Sequence, residues 1–581
     1  MFRGAGCSDV SSFRIEDPTR SLPLHWLCAP LLSVALYSLC LGTLPLQLPD
    51  ESREAEVARE VWVGPPLQVP HLNGKAYVIK TPLAYWTAEL GFEAAGDPVP
   101  SEWLVRLPSA LFTLGTAAFT FLLGLRWFST RHGLMAALIL CCTPSVLSHG
   151  RRFTADPALA MFVTVAVGAA LLAMTAEGRR RFGAWVFLAG SALALAFLAK
   201  GPMGVALVGS GTAGALMAER GLRGLPALRV ATAAVAMLVL LAPAVLLWTW
   251  MLQHQGGAAM IDYYLSYHTR GFRPTELNQA LAMGPTPHVE SWWFYAARGP
   301  DGFLPWLLLL PLFALAAPER GERLRAGPEP AARPGLRLLG WFLLPLLFLS
   351  LLAQKRELYL LPLYPPLALA AACALLDPLP ARWPRVSRAA RVVWMVMGAG
   401  AWVGAGLLLA GGVVYAVSHG LYGRAVLGIA LLACAGALPL LARRDPLERD
   451  APLPYPFAGA SAVALLALGL LVFVEPVARA DRTIRPFARE VAEHLQRDPG
   501  TTLYGYRITD DVGRIEGAVA FELGRTFPTL ERPEELRELL ARTPRARVIM
   551  DQPVWEAEGK PGRVIADLGA SRRRLVLIAP R

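Results

Sequence analysis

The sequence predicts a polytopic α-helical membrane protein of about 13 transmembrane helices, followed by a small α/β domain. Hydrophobic residues make up 54% of its 581 positions and the mean hydropathy is +0.42, which excludes a single soluble core. Apolar runs of membrane-spanning length recur along most of the chain and stop after Val477, where amphipathic segments begin. We therefore expect a membrane domain that carries one soluble domain at its carboxyl end.

Each predicted span is an apolar run that can cross about 30 Å of hydrocarbon as a helix, helped by tilt. The thirteen runs are 24–46, 103–125, 133–148, 155–176, 182–199, 201–218, 230–251, 302–317, 338–353, 358–376, 392–417, 421–442 and 457–477. They define a membrane domain at 24–477 with two long loops, 47–102 and 252–301. In 478–581, two helical patterns and two strand patterns, 502–506 and 548–551, favour a small α/β domain.

Charge patterning predicts the orientation. Most arginine clusters fall in alternate loops, as the positive-inside rule expects of the cytoplasmic side. Residues 1–23 are then a cytoplasmic tail, and an odd number of spans puts the loop with Asp50 and the carboxyl-terminal domain outside. The net charge of +12 is spread over these short loops, so it indicates contact with a lipid bilayer and argues against nucleic acid.

The seven cysteines give no functional signal in the sequence. All lie in the amino-terminal tail or in apolar segments, with no spacing typical of zinc and none in the hydrophilic loops that could build a disulfide framework.

The first long loop is the strongest candidate for chemistry. Asp50 and Glu51 follow the first predicted span directly, so their carboxylates should lie at the membrane surface, where a reaction on a lipid head group needs them. Asp50 or Ser52 could instead cap a surface helix. Arg53 on that helix and Lys80 further along could bind a lipid phosphate, although a lysine at a membrane end often only snorkels. Tyr85 and Trp86 could line a substrate cleft or anchor the interface. Arg59 is a further candidate cation on the same helix.

Two later loops place cations outside, against the positive-inside bias. Arg152 precedes Asp156, which could also be a helix cap, and the pair is a candidate for the substrate cleft. Lys355 and Arg356 stand before a span that begins near Tyr359. Structural ion pairs are one explanation; phosphate binding is the one we favour. Lys200, in a tight turn between two spans, is expected to snorkel.

His268, in the second long loop, adds an imidazole to the candidate cleft and is a weak candidate metal ligand, because no second histidine stands at a metal-binding spacing.

In series, these motifs resemble the bacterial aminoarabinose transferase (ArnT-like) branch of the GT-C glycosyltransferases, relatives of the protein O-mannosyltransferases. The motifs, in chain order, are Asp50-Glu51-x-Arg53, Asn73-Gly74, Lys80-x-Pro82-Leu83-x-Tyr85-Trp86, Arg106-Leu107-Pro108, Asp156, Lys200-Gly201-Pro202, Pro305-Trp306 and Arg356-Glu357-Leu358-Tyr359. The resemblance covers nearly the whole chain. It implies a GT-C membrane fold in the bacterial inner membrane, with the active site on the periplasmic face.

The resemblance also implies an activity. It suggests inverting transfer of a pentose or hexose, such as 4-amino-4-deoxyarabinose, from a polyprenyl-phosphate donor to a lipid A-like glycolipid. Asp50 is the implied catalytic carboxylate, and Lys80, Arg270 and Tyr359 are the implied groups at the donor phosphate. Two alternatives stay open: a protein O-mannosyltransferase acting on exported proteins, and a lipid or sugar transporter, which the absence of a visible internal repeat disfavours.

Two positions depart from the family pattern. Family members often have Tyr where this chain has Glu54, and commonly have Glu where this chain has Ile79. That Glu helps to bind a metal in the aminoarabinose enzymes. The resemblance therefore requires no cofactor here, and it leaves a divalent metal open.

Overall fold

The structure is a computed structural model that describes residues 23–48, 50–96, 100–221, 226–269, 289–314, 334–377, 383–449, 451, 453–478, 484–508, 514–570 and 573–581. Long apolar helices form a bundle, and a mixed α/β domain follows it. Most buried side chains of the bundle belong to one extended core, and a smaller cluster surrounds the first loop. The carboxyl-terminal domain has separate clusters on the two faces of its sheet.

The α-helices of the bundle and its loops are Cys28–Ser38, Asp50–Val63, Leu83–Ala95, Glu102–Trp127, Thr130–Cys142, Pro144–Gly150, Asp156–Thr175, Gly178–Lys200, Pro202–Arg220, Ala227–Thr269, Phe294–Phe303, Pro334–Leu351, Tyr364–Leu376, Pro384–Ser418, Tyr422–Arg444, Pro446–Arg449, Pro456–Gly469 and Glu475–Ala478. Short 3-10 turns at Leu24–Leu27, Trp306–Leu309 and Glu357–Leu363, and a π-helical turn at Leu470–Val474, join or extend them.

The polytopic helical fold is confirmed, with fewer full spans than the thirteen apolar runs. Nine helices of the described residues are long and apolar enough to cross a bilayer, or ten if the pair bent by 66° between Cys142 and Pro144 is one span. Three predicted runs fall outside this set. Run 24–46 contains a helix that ends at Ser38, run 201–218 is the helix Pro202–Arg220, and run 302–317 is interrupted near Pro305. Hydrophobicity alone does not show where a helix breaks.

The carboxyl-terminal domain is built on a five-stranded sheet. Two-residue strands β1 (His71–Leu72) and β2 (Lys75–Ala76) form a hairpin in the first loop; the domain contains β3 (Thr502–Tyr506), β4 (Thr529–Leu530), β5 (Ala546–Asp551), β6 (Arg563–Ala570) and β7 (Arg573–Ala579). The sheet order is β4-β3-β5-β7-β6, with parallel pairing among β4, β3 and β5 and antiparallel pairing of β7 with its neighbours. Its helices are Arg485–Arg497, Arg514–Leu523, Pro533–Arg542 and Gln552–Ala557.

The helix Asp50–Val63, the acidic helix, is buried inside the protein and is not the exposed helix of the alternative interpretation. Every residue from Glu51 to Glu60 is buried, because the bundle covers one side of the helix and the domain helix Arg514–Leu523 covers the other. Gly517 of the domain helix packs so closely that a Cβ there would lie 3.2 Å from the Cα of Arg53. The domain therefore helps to fix the position of the acidic helix.

Candidate functional site

Asp50 is the first residue of the acidic helix and is partly exposed. Its side chain remains 25% exposed, while the side chain of Arg53 is 4% exposed. The Arg53 Nη2 donates to Asp50 Oδ1 at 3.0 Å, and Arg356 forms a short ion pair with the other carboxylate oxygen. The structure thus joins the first loop to the Arg356 segment at one carboxylate.

Glu54 is the buried centre of the same network. Its Oε1 accepts hydrogen bonds from Lys80 Nζ at 2.5 Å and from Arg53 Nη2 at 2.7 Å, and its Oε2 accepts from the Tyr85 hydroxyl at 2.5 Å. The Tyr77 hydroxyl lies 3.5 Å from Oε1. Two cations and two phenols therefore hold one carboxylate that is 1% exposed.

The charges in this network keep both carboxylates ionised. Burial raises the pKa of Asp50, but Arg356, Arg53 and Lys80 together outweigh burial and hold that pKa far below its ordinary value. Burial likewise raises the pKa of Glu54, and Lys80 and Arg53 bring it down to about 2. Asp50 is therefore an anion at neutral pH, in a position where it can accept a proton.

A second ion pair lies beside the first. Lys200 forms a short salt bridge with Asp156, and its ammonium stands over the Tyr359 ring, 4.2 Å from the centroid. The Gly201 N–H donates to Thr81 Oγ1 at 3.2 Å, which joins the turn after Lys200 to the segment after Lys80. Lys200 is thus part of the candidate site, and its burial and pairing do not fit the predicted snorkelling.

His268 reaches the same region from the end of the helix Ala227–Thr269. Its ring contacts the Tyr264 ring at 4.4 Å, and a Cβ at Gly201 would touch both the Tyr264 hydroxyl and His268. Gly201 has a φ of +56°, so the turn needs glycine for conformation as well as space. Among the described residues, no group of metal-ligating side chains within ligand distance includes His268. The structure therefore gives no support to His268 as a metal ligand.

Glu51 has a different role from Asp50. Its side chain is 2% exposed and accepts two hydrogen bonds from Arg106, at 2.7 and 2.9 Å, as well as the backbone N–H groups of Gln47 and Phe153. Arg106 also donates to three carbonyls of residues 41–45. Glu51 anchors the loop before the acidic helix, so its geometry is that of a structural residue and does not fit the catalytic role predicted for it.

Two predicted phosphate-binding cations point elsewhere. Lys355 is buried and donates to the carbonyls of Glu290 and Leu352. Arg59 forms a two-point ion pair with Glu56 and donates to the Gly524 carbonyl of the domain. Both predictions are corrected, since the donors of these side chains are engaged by protein oxygens other than those of Asp50.

The remaining predicted site residues have different surroundings. Tyr85 is 1% exposed and supports Glu54, so it does not line an open cleft. Trp86 packs against the bundle core. Arg152 lies between His149 and Asp156 and contributes, with Asp156, Arg356 and Asp50, to the electrostatic environment of His149. Arg270 lies outside the described residues.

The sequence prediction missed Glu54 and Lys200 as members of the site. Glu54 had been noted as a departure from the family pattern, and the loss of a carboxylate at Ile79 was the signal that another carboxylate should balance Lys80. Buried lysines require such a partner. Among the described residues, the ion pairs of the site join four cations, Arg53, Lys80, Lys200 and Arg356, to three anions, Asp50, Glu54 and Asp156. These paired side chains carry one more positive than negative charge, which suits an anionic ligand.

Comparison with known proteins supports the resemblance. The sequence profile of the family described as dolichyl-phosphate-mannose-protein mannosyltransferase matches residues 49–255. The chain is 28% identical over 398 residues to undecaprenyl phosphate-alpha-4-amino-4-deoxy-L-arabinose arabinosyl transferase 2 of Pseudomonas fluorescens, which covers 68% of this chain and 64% of that protein. It is 31% identical over 325 residues to the corresponding transferase 1 of Sodalis glossinidius, covering 55% of this chain and 53% of that protein. The chain thus spans less than two thirds of the length of these relatives.

The fold comparison extends further along the chain. The crystal structure of ArnT from Cupriavidus metallidurans bound to undecaprenyl phosphate has a TM-score of 0.69 and 21% identity, and the match covers 96% of this chain and 98% of that one. The apo crystal structure of the same protein gives the same TM-score at 19% identity. In fold over nearly its whole length, and in sequence over the matched part, this chain is similar to the ArnT-like branch of the GT-C glycosyltransferases.

Proposed function

We propose that the protein is a membrane glycosyltransferase that moves a sugar from a polyprenyl-phosphate donor to an envelope glycolipid of the lipid A type, with inversion at the anomeric carbon. The observation that carries this proposal is the Asp50 carboxylate held between Arg53 and Arg356 at the edge of a cationic cleft. The similar curated proteins are named as arabinosyl transferases of undecaprenyl phosphate-alpha-4-amino-4-deoxy-L-arabinose, and these names support the same donor class.

The cations suit the leaving group. When the bond between the anomeric carbon and the phosphate oxygen breaks, negative charge develops on the phosphate, and preorganised cations stabilise that charge in the transition state. Arg356 is partly exposed, with 28% of its side chain accessible, and its partner Asp50 is equally accessible. A donor phosphate can therefore compete with Asp50 for Arg356, whereas the Lys80–Glu54 pair is buried and holds the framework.

The acceptor needs the carboxylate. An acceptor hydroxyl can give its proton to Asp50 while its oxygen attacks the anomeric carbon and the lipid phosphate departs with the bonding electrons. Where the acceptor is a phosphate that is already ionised, Asp50 positions it and no proton moves. One carboxylate is enough for this single displacement, because the phosphate leaves without protonation.

The location and orientation belong to the same proposal. We place the protein in the bacterial inner membrane with residues 1–23 in the cytoplasm and with both the site and the domain after residue 477 in the periplasm. The arginine-rich alternate loops support this orientation. An enzyme that uses a polyprenyl-phosphate sugar outside the cytoplasm needs its active site to open at the periplasmic face of the membrane.

The second candidate is a protein O-mannosyltransferase. It is favoured by the match of the mannosyltransferase family to residues 49–255, a segment that includes Asp50, Lys80, Asp156 and Lys200. Both candidates use a polyprenyl-phosphate donor and differ in acceptor. Mass spectrometry of envelope lipids and of exported proteins distinguishes them, because a sugar mass shift appears on the glycolipid in one case and on Ser or Thr peptides in the other.

The experiment is a comparison of cells that express the wild type, Asp50→Asn or the control Asp567→Asn, which alters an exposed residue of the domain. We expect the sugar mass shift to disappear with Asp50→Asn and to persist with Asp567→Asn, at equal amounts of folded protein in the membrane. Wild-type product with Asp50→Asn would reject Asp50 as the reactive carboxylate. If cells that express the wild type form no sugar-modified lipid or protein, the proposal of an enzyme is rejected.

A further inference from the structure

A group of metal-ligating side chains lies away from the candidate site. His132, Cys373 and Asp377 each present one ligand atom, and these atoms lie within 4.8 Å of one another. His132 is on the helix Thr130–Cys142, and Cys373 and Asp377 are one helical turn apart at the end of Tyr364–Leu376. The sequence did not reveal this group, because its members are 241 residues apart along the chain and only the packing of the two helices brings them together.

We propose that His132, Cys373 and Asp377 form a binding site for a divalent metal ion of the zinc class, which fastens the helix Thr130–Cys142 to the helix Tyr364–Leu376. Imidazole nitrogen, thiolate sulfur and carboxylate oxygen are the three ligand types that zinc takes in proteins. A fourth ligand would come from solvent. The site is independent of the proposed function, since it lies at the opposite end of Tyr364–Leu376 from Arg356.

The spacing fits a single ion. Ligands that stand about 2.0 to 2.3 Å from a common zinc at tetrahedral angles are about 3.3 to 3.8 Å from one another. His132 Nε2 and Asp377 Oδ1 are 3.0 Å apart, and no pair in the group exceeds 4.8 Å. Side-chain movements of less than about 1 Å therefore bring all three ligands to bonding distance.

The second ring nitrogen of His132 is already oriented. His132 Nδ1 lies 2.8 Å from Ser129 Oγ, and the Phe128 ring stacks on the imidazole at 5.5 Å. In the tautomer with Nδ1–H donating to Ser129, the lone pair of Nε2 points toward the Asp377 carboxylate. A metal ion would then take the place of the proton that otherwise joins Nε2 to Asp377 Oδ1 at 3.0 Å.

One ligand of the site is buried and the other two are partly exposed. Cys373 is fully buried and is a thiol, not half of a disulfide. The side chains of His132 and Asp377 are 15% and 21% exposed, so an ion and its water ligand can enter from their side. Binding of the metal would replace the thiol proton, which the solvent accepts, because zinc takes cysteine as the thiolate.

The test uses the purified full-length protein in detergent, with zinc content measured by elemental analysis and Co²⁺ as a spectroscopic probe. We expect about one bound ion per chain, and with Co²⁺ a thiolate-to-metal charge-transfer band together with the strong visible bands of a four-coordinate site. Cys373→Ala should abolish the charge-transfer band, and His132→Gln should weaken metal binding at least tenfold. Cys142→Ala, an equally buried cysteine outside the group, is the matched control and should keep both signals.

The outcomes separate the proposal from its alternatives. Retention of the charge-transfer band in Cys373→Ala would overturn the assignment of the thiolate ligand. Absence of stoichiometric zinc together with absence of the cobalt bands in the wild type would show that His132 and Asp377 share a proton and bind no metal. If Cys373→Ala fails to fold, as judged by gel filtration, His132→Gln decides between these results because its side chain is partly exposed.

Discussion

Arg356 donates a charge-assisted hydrogen bond to Asp50 across 306 positions of the sequence. This contact brings the segment before the 3-10 turn Glu357–Leu363 against the start of the acidic helix, and it leaves both side chains about one quarter exposed. The pair is therefore strong enough to order the site and open enough for an anionic ligand to displace Asp50 from Arg356.

The first prediction concerns Arg356→Gln. Loss of the guanidinium should lower kcat/KM for the polyprenyl-phosphate donor by about 100-fold or more, because a preorganised donor to the developing phosphate charge is removed. It should also raise the pKa of Asp50, since Arg356 is the largest of the charges that lower it. A reaction that needs ionised Asp50 then loses rate at a higher pH than in the wild type, and the acid limb of the pH profile moves toward neutrality.

Arg356→Lys is the control, because it keeps the charge and loses the planar guanidinium. We expect its acid limb to stay close to that of the wild type while kcat/KM falls by a smaller factor. An unchanged pH profile in Arg356→Gln would contradict the link between Arg356 and the ionisation of Asp50.

The general fold was predictable from the sequence because hydrophobic runs identify membrane helices directly. The positions at which helices break within those runs were not predictable. The bend of 66° between Cys142 and Pro144, and the turn after Ser38, depend on local chain geometry inside apolar sequence. In the domain, β6 and β7 were missed, since their pairing with each other and with β5 is a tertiary property.

The candidate site was predictable in its residue types and less so in its pairing. Asp50, Lys80 and Arg356 stood out because charges beside membrane spans are costly without partners. The sequence could not show that Glu51 pairs with Arg106 while Glu54 pairs with Lys80. Both pairings depend on how the buried helix is rotated about its axis. Lys200 looked like an ordinary helix-end residue, and only packing shows that it pairs with Asp156, which the sequence had grouped with Arg152.

The second prediction separates Glu51 from Asp50. Glu51→Gln leaves Arg106 buried with a neutral partner, and breaking a buried ion pair in this way costs about 3–5 kcal/mol of stability. We expect a lower midpoint of thermal unfolding, with activity per folded molecule retained. Asp50→Asn should show the reverse, with near-normal thermal unfolding and no activity. Equal loss of activity per folded molecule in both variants would contradict the structural role of Glu51.

The third prediction concerns the contact between the first loop and the domain. The Asn73 amide donates to Glu516 at 2.5 Å and to the Phe527 carbonyl at 2.7 Å, and its oxygen accepts from the Phe527 N–H at 2.8 Å. Asn73→Ala removes three hydrogen bonds between buried groups, at a cost of about 1–3 kcal/mol for each group that is left unsatisfied. Hydrogen exchange should then become faster in the helix Arg514–Leu523 and in the acidic helix.

The control for that experiment is Gln552→Ala, which removes an amide of the same domain that bonds to Glu556 at the surface. It should leave exchange in both helices unchanged. If Asn73→Ala also leaves exchange unchanged, the domain is held by its apolar contacts, such as Phe521 in the shared cluster, and not by Asn73.

The last prediction tests Glu54 as the anion that balances Lys80 and Arg53. Glu54→Gln removes a buried charge from between two cations, so we expect a loss of about 3–5 kcal/mol in the free energy of unfolding at neutral pH. The loss should depend on pH. Because Lys80 and Arg53 outweigh burial and lower the pKa of Glu54 to about 2, below the ordinary 4.5, the ionised carboxylate stabilises the fold fully above about pH 4.5.

That stabilisation declines as the pH falls from about 4.5 toward 2, so the difference in stability between the wild type and Glu54→Gln should narrow in acid. Thermal unfolding followed from pH 7 to pH 4 measures the start of this narrowing. Glu493→Gln, at an exposed ion pair of the domain, should change the midpoint little at any pH, because such pairs contribute about 1 kcal/mol or less. A difference for Glu54→Gln that stays constant down to pH 4 would contradict the role of the charge, because the stability lost would then not depend on ionisation of the carboxylate.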